Sequence, residues 1–163
     1  MKKISRKLII NLLFFISAVI IIAVDRYTKQ WIMQNLPENN SIDLIPGVLL
    51  ITHVKNSGAS FGLFQGYANI LAIISVIAII LIIFIKIYLK FDSYFYNIAL
   101  GFILGGAIGN LIDRVVYGEV VDFLNLVYWP VFNIADSFII IGFGIVIIFL
   151  FKEFFKKSGA KST

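Results

Sequence analysis

Four long apolar runs, at about Leu8–Val24, Gly66–Ile85, Ser93–Ile112 and Phe132–Phe151, dominate this chain of 163 residues. About 20 consecutive apolar residues let a helix cross the hydrocarbon core of a bilayer. In that core every backbone N–H and C=O must be satisfied within the segment, so the runs are predicted to be helices. A soluble domain of this size has no interior large enough for a chain that is 60% hydrophobic and 14% charged. The expected fold class is a mainly α integral membrane protein, with four transmembrane helices in a single membrane-embedded domain over residues 1–163. One substantial loop remains, from Asp25 to Gln65, and no linker, repeat or low-complexity tract divides the chain.

Ten of the fourteen Lys and Arg residues precede span 1 (Lys2, Lys3, Arg6, Lys7), separate spans 2 and 3 (Lys86, Lys90) or follow span 4 (Lys152, Lys156, Lys157, Lys161). Insertion holds such residues on the cytoplasmic side. Both termini are therefore expected in the cytoplasm, and Asp25, Glu38, Asp43, Asp113, Glu119, Asp122 and Asp136 gather toward the outer face. The net charge of +5 reads as this topological signal. Split between short tails, the basic residues form no nucleic-acid surface, and no nucleic-acid partner is expected. The start, Lys-Lys-Ile-Ser-Arg-Lys before an apolar run, has the pattern of a signal peptide. No small-x-small cleavage site follows, and Val24 leads directly into Asp25-Arg26, so a retained span is favoured. Without cysteine, disulfides, thiol catalysis, cysteine-ligated metals and cysteine lipidation of this chain are excluded.

Asp25, Asp113, Asp122 and Asp136 stand beside the apolar runs. A carboxylate at membrane depth is costly unless it faces protein or water, which makes each a candidate functional residue. Asp25 and Lys29, four apart with the acid first, share a helix face if span 1 continues outward. After Pro37, the segment from Ile42 to Val54 mixes β-branched residues with a Pro-Gly turn and predicts a short hairpin or small sheet on the outer surface. His53, the sole histidine, has no second ligand nearby and reads as a hydrogen-bonded strand residue. In Asn56-Ser-Gly-Ala-Ser-Phe-Gly, a plain turn and a loop approached closely by another molecule account equally for the glycines.

Gly101, Gly105 and Gly109 recur every four residues and give span 3 a flat face for a neighbouring helix. At its outer end Asn110 shares a face with Asp113 and Arg114. Asn133 and Asp136 lie three apart at the entrance of span 4, and Asp122 sits in the apolar frame Val120-Val121-Asp122-Phe123. Asp122 and Asp136 lack sequence-local countercharges, so they are the expected holders of a raised or shared proton. Two carboxylates near one water share a proton, and the pair can then deprotonate the water while protonating a peptide carbonyl. Asp122 and Asp136 are the pair chosen for this chemistry.

Asp25-x-x-x-Lys29, the Asn56-x-Gly-Ala-x-Phe-Gly loop, Gly-Ala-x-Gly-Asn-Leu-Ile-Asp-Arg through Arg114, Gly-x-Val-Val-Asp-Phe through Phe123 and Phe-Asn-x-Ala-Asp-Ser through Ser137 closely resemble the bacterial lipoprotein signal peptidases, also called signal peptidase II. The blocks follow that family's order over essentially the whole chain. Ser60 stands where Ala is more usual, and Arg26 where Gln is commoner; neither touches the proposed chemistry. The resemblance implies an intramembrane aspartic endopeptidase that removes signal peptides from diacylglyceryl-modified prolipoproteins, cleaving before the lipid-modified cysteine without cofactor or metal. By matching position it implies a catalytic dyad of Asp122 and Asp136. Asn56, Asn110, Arg114 and Asn133 would line the substrate cleft, with Asp25, Lys29 and Asp113 in support. It further implies a monomer in the bacterial cytoplasmic membrane, with its site near the outer face and Phe61, Phe64 and Phe123 close to the incoming acyl chains. Its partners would be prolipoprotein substrates and membrane lipid, and the family inhibitor globomycin is expected to bind the active site.

Three rivals fit the residues less well. A proton-coupled transporter spreads carboxylates over several membrane depths, whereas here they cluster toward one face. A Mg²⁺-dependent lipid phosphotransferase needs closely spaced metal-binding aspartates and a phosphate site. A non-catalytic assembly factor would tolerate loss of Asp122 and Asp136.

Overall fold

The computed structural model describes the backbone of residues 2–58 and 64–159, with side chains over 6–58 and 64–156. Ser60 and Phe61 of the glycine loop, and Lys161 of the tail, lie outside the described residues. Four long helices, α1 (Lys2–Asn35), α2 (Ala68–Tyr88), α3 (Tyr94–Tyr117) and α4 (Ile134–Gly159), carry a small sheet of β1 (Ser41–Ile45), β2 (Leu49–Asn56) and β3 (Val120–Leu126). Each helix is long and apolar enough to cross a membrane.

The first helix continues outward beyond the apolar run that ends at Val24, as the spacing of Asp25 and Lys29 allowed. α1 runs 34 residues to Asn35, about 51 Å at 1.5 Å per residue, well beyond a hydrocarbon core of about 30 Å. Asp25 does not end the helix, because Lys29 one turn later lies 2.8 Å from its Oδ2. The helix stops just before Pro37, whose ring disfavours a helical conformation in the residue preceding it.

α3 is the hub of the bundle, and α1, α2 and α4 all pack on it. Of its most apolar window 67% is buried, against 11% for α2 and for α4, so those two helices turn most of their surface to lipid. The glycine periodicity is what permits this. A Cβ on Gly105 would stand 2.6 Å from the Ala18 carbonyl oxygen, and one on Gly101 only 2.5 Å from that of Phe14, so α1 rests directly on the glycine face. Around this seam Phe14, Ala18, Tyr96, Leu100, Ile103 and Leu104 form the main apolar core.

The predicted hairpin forms, with β1 and β2 antiparallel around a turn in which Gly47 takes φ 72°. The third strand was not anticipated. The segment around Asp122 pairs antiparallel with β2, Val54 opposite Asp122 and Asn56 opposite Val120, to give the order β1-β2-β3. Strand β3 follows α3 after Gly118, which caps that helix at φ 74°. Val121 and Phe123 pack with Ile32 of the outer part of α1, anchoring the sheet to the bundle.

Candidate active site

Four separate elements bring their polar residues to one place at the junction of sheet and bundle. β3 supplies Asp122, the end of β2 supplies Asn56, the last turns of α3 supply Asn110 and Arg114, and the start of α4 supplies Asn133 and Asp136. Asn56, Asn110, Arg114, Asp122 and Asp136, with Gly58 and Val120, line a cavity of about 120 Å³. Such a space is large enough for a few water molecules.

Strand pairing fixes Asp122, and two amides hold its carboxylate. Asn56 Nδ2 donates to Oδ2 at 2.8 Å, and Asn133 Nδ2 donates to Oδ1 at 2.7 Å. Asn56 is itself fixed, since its Oδ1 accepts from Gly58 N at 2.9 Å. Asp122 is 3% exposed. Burial, and next the negative charge of Asp136, push its pKa up from 3.8 to about 7, although the bonds from Asn56 and Asn133 oppose the shift.

Asp136 is placed by the way α4 begins. Asn133 Oδ1 accepts from Asp136 N at 2.9 Å, and Asp136 Oδ2 accepts in return from Asn133 N at 3.3 Å. This is the reciprocal logic of a capping box. The other oxygen, Oδ1, accepts from Asn110 Nδ2 at 2.8 Å. Asn133 thus touches both aspartates, and its Nδ2 also lies 3.1 Å from Asn110 Oδ1. Arg114 shares the cavity and reaches toward Ser75 Oγ at 3.5 Å.

Asp25, Lys29 and Asp113 stand behind this group and do not line the cavity. All three are fully buried. The Lys29 ammonium lies 2.8 Å from Asp25 and 2.8 Å from Asp113, and donates to Asn110 Oδ1 at 2.9 Å. Asp113 also pairs with Arg26, whose guanidinium bonds Tyr117. Lys29 and the partly exposed Arg26 compensate the two carboxylates, which is what makes burial of Asp25, Lys29 and Asp113 tolerable. Asp25 Oδ1 accepts from Ala135 N at 2.9 Å and so ties α1 to the first turn of α4. The neighbouring pair Asp113 and Arg114 is divided between the two clusters, as adjacent helix positions require.

Of the polar candidates from the sequence, Asp25, Lys29, Asn56, Asn110, Asp113, Asp122, Asn133 and Asp136 join in one connected network, and Arg114 meets them only across the cavity. Sequence reasoning missed Arg26 as the partner of Asp113 and Ser75 as the partner of Arg114. Ser75 was visible in principle as a hydroxyl within an apolar span. His53 Nδ1 lies 2.7 Å from the Leu36 carbonyl oxygen, a structural role. Among the described residues no three His, Asp or Glu side chains converge as a metal site would require.

The family profile for signal peptidase II matches residues 17–152. A lipoprotein signal peptidase of Listeria welshimeri is 36% identical over 152 residues, covering 91% of this chain and 99% of its own. One of Halothermothrix orenii is 37% identical over 139 residues, covering 85% and 95%. A bacterial membrane enzyme solved by the in meso method at 2.3 Å superposes with a TM-score of 0.82 at 35% identity, over 86% of this chain and 88% of that one. With agreement of sequence and fold over most of its length, the chain belongs to the signal peptidase II family of aspartic peptidases.

Proposed function

We propose that Asp122 and Asp136 are the catalytic dyad with which this peptidase removes signal peptides from prolipoproteins. One observation carries the reading: both carboxylates face the same small cavity and are joined through Asn133. With Asp122 at about 7, its carboxyl is protonated about half of the time near neutral pH, which suits a pair that works with one proton between them.

In the proposed cycle the ionised carboxylate takes a proton from a water in the cavity as the water oxygen bonds to the scissile carbonyl carbon. The protonated partner gives its proton to the carbonyl oxygen. Collapse of the tetrahedral diol breaks the C–N bond as the leaving nitrogen takes the proton now held by the former base and a diol hydroxyl gives its proton to the other carboxylate, so the dyad returns to one proton. Asn56 and Asn133 orient Asp122, while Asn110 and Asn133 orient Asp136. Arg114 supplies fixed N–H donors toward substrate backbone. Asp25, Lys29 and Asp113 act at one remove, by holding Asn110 and the first turn of α4.

The substrate we assign carries diacylglycerol on the cysteine after the cleaved bond. An acyl chain in the same bilayer fixes the depth of that bond, and each buried CH₂ contributes about 0.8 kcal/mol. In this reading the protein lies in the cytoplasmic membrane with both termini inside and the dyad toward the outer face. Cleavage of lipidated and unlipidated forms of one precursor, at matched concentration in the same membrane, tests the assignment. Strong preference for the lipidated form is expected, and equal cleavage would overturn it.

A further inference from the structure

A second cavity lies remote from Asp122 and Asp136. It has a volume of about 520 Å³ and lies between the beginning of α1 and the end of α2. Lys7, which lines it, precedes Asp25 by 18 residues of continuous helix, about 27 Å at 1.5 Å per residue. α1 and α2 both pack chiefly on α3, and the cavity opens between their ends near Lys7 and Lys86. Ile10, Phe15 and Ile87 give the cavity apolar walls, and Lys7, Lys86 and Lys90 bring three ammonium groups to it.

Lys86 is the most constrained of the three. Its ammonium donates to Asn97 Oδ1 and lies 5.4 Å from the centre of the Phe14 ring. Asn97 is itself locked, since its Nδ2 donates to the carbonyl oxygens of Ser93 at 2.7 Å and Phe91 at 3.0 Å. An ammonium has three N–H donors, and Asn97 takes one. None of the three lysines has a carboxylate within salt-bridge distance among the described residues. Asp92 is the one acid in the lining, and its backbone carbonyl accepts from Arg6, a fourth cation. Three cations against one carboxylate, at the edge of a bilayer and above apolar walls, call for an anion with an apolar body.

We propose that this cavity is a binding site for an anionic phospholipid, with its phosphate among Lys7, Lys86 and Lys90 and an acyl chain in the groove between α1 and α2. Basic pockets between transmembrane helices suit such headgroups. A zwitterionic lipid would bring a cation of its own among the lysines, a free phosphate has nothing to place against Ile10, Phe15 and Ile87, and a basic peptide is repelled. The proposal is independent of the dyad assignment, because none of its residues lines the cavity of Asp122 and Asp136.

The test is native mass spectrometry of the purified full-length protein with equimolar phosphatidylglycerol and phosphatidylcholine of identical chains. Wild type should retain phosphatidylglycerol at least tenfold over phosphatidylcholine. Lys86→Gln should reduce that ratio below about twofold, and so should the Lys7→Gln/Lys90→Gln double variant, whose altered side chains are exposed and leave the fold intact. Peptidase activity serves as the control for folding and should persist in the double variant. Equal retention of the two lipids by wild type, an unchanged ratio in the double variant, or displacement of phosphatidylglycerol by millimolar inorganic phosphate would overturn the proposal.

Discussion

Replacing Asp122 by Asn should abolish cleavage and yet raise stability at alkaline pH. The carboxyl has a pKa of about 7 in the fold against 3.8 for the free group. Between those values the folded protein keeps a proton that the unfolded chain has lost, so stability falls as pH rises through this window. Above about pH 7 the deficit is complete; a shift of about three units at 1.36 kcal/mol each is about 4 kcal/mol. Asn removes the charge, but its NH₂ must then face one of the two amide donors, Asn56 or Asn133, that now serve the carboxylate. A donor left facing a donor costs about 1–3 kcal/mol. The variant should therefore exceed wild type by about 1–3 kcal/mol at pH 8 and fall below it by a similar amount at pH 4. Thermal unfolding in detergent, followed by intrinsic fluorescence from pH 4 to pH 8, measures the crossing. A stability difference that stays constant over this range would refute a raised Asp122.

Asp136→Asn should lose cleavage as fully as Asp122→Asn while remaining folded; retained activity there, with complete loss in Asp113→Asn, would move the dyad. Arg114→Lys should lower kcat at least tenfold despite keeping its charge, because an ammonium cannot reproduce the planar donor fork, and an unchanged kcat would make Arg114 an interfacial charge. Gly109→Ala would place a Cβ 2.6 Å from Asp25 Oδ2, and thermal unfolding should show a loss of about 1–3 kcal/mol from overpacking. Tags at both termini should be reachable only from the cytoplasm and a label at Asn39 only from outside, as the distribution of basic residues requires.

Much of this molecule was legible because the bilayer imposes simple rules. Apolar runs announced the helices, the glycines at 101, 105 and 109 announced a close helix seam without naming α1 as its partner, and the spacing of Asp25 and Lys29 announced their pair. Two things stayed hidden. The first is the outer third of α1, whose charged residues look like the end of a span until their burial against Asp113 and Asn110 is known. The second is β3. Val-Val-Asp-Phe has no alternation to mark a strand, because Val120, Val121, Asp122 and Phe123 are all buried, between the bundle on one face and the cavity on the other. At the site, residue types identified the members, but no sequence rule could assign Asn133 to both aspartates or Arg26 to Asp113, contacts made across 11 and 87 residues of chain.

Cleavage of a diacylglyceryl-modified prolipoprotein by the purified, reconstituted protein in the presence of EDTA, comparing wild type with Asp122→Asn and Asp136→Asn, tests whether two aspartates cut the signal peptide without a metal. Wild type should keep full activity in EDTA, and neither variant should cleave. Loss of wild-type activity in EDTA, or substantial cleavage by either variant, would contradict a metal-free dyad of Asp122 and Asp136.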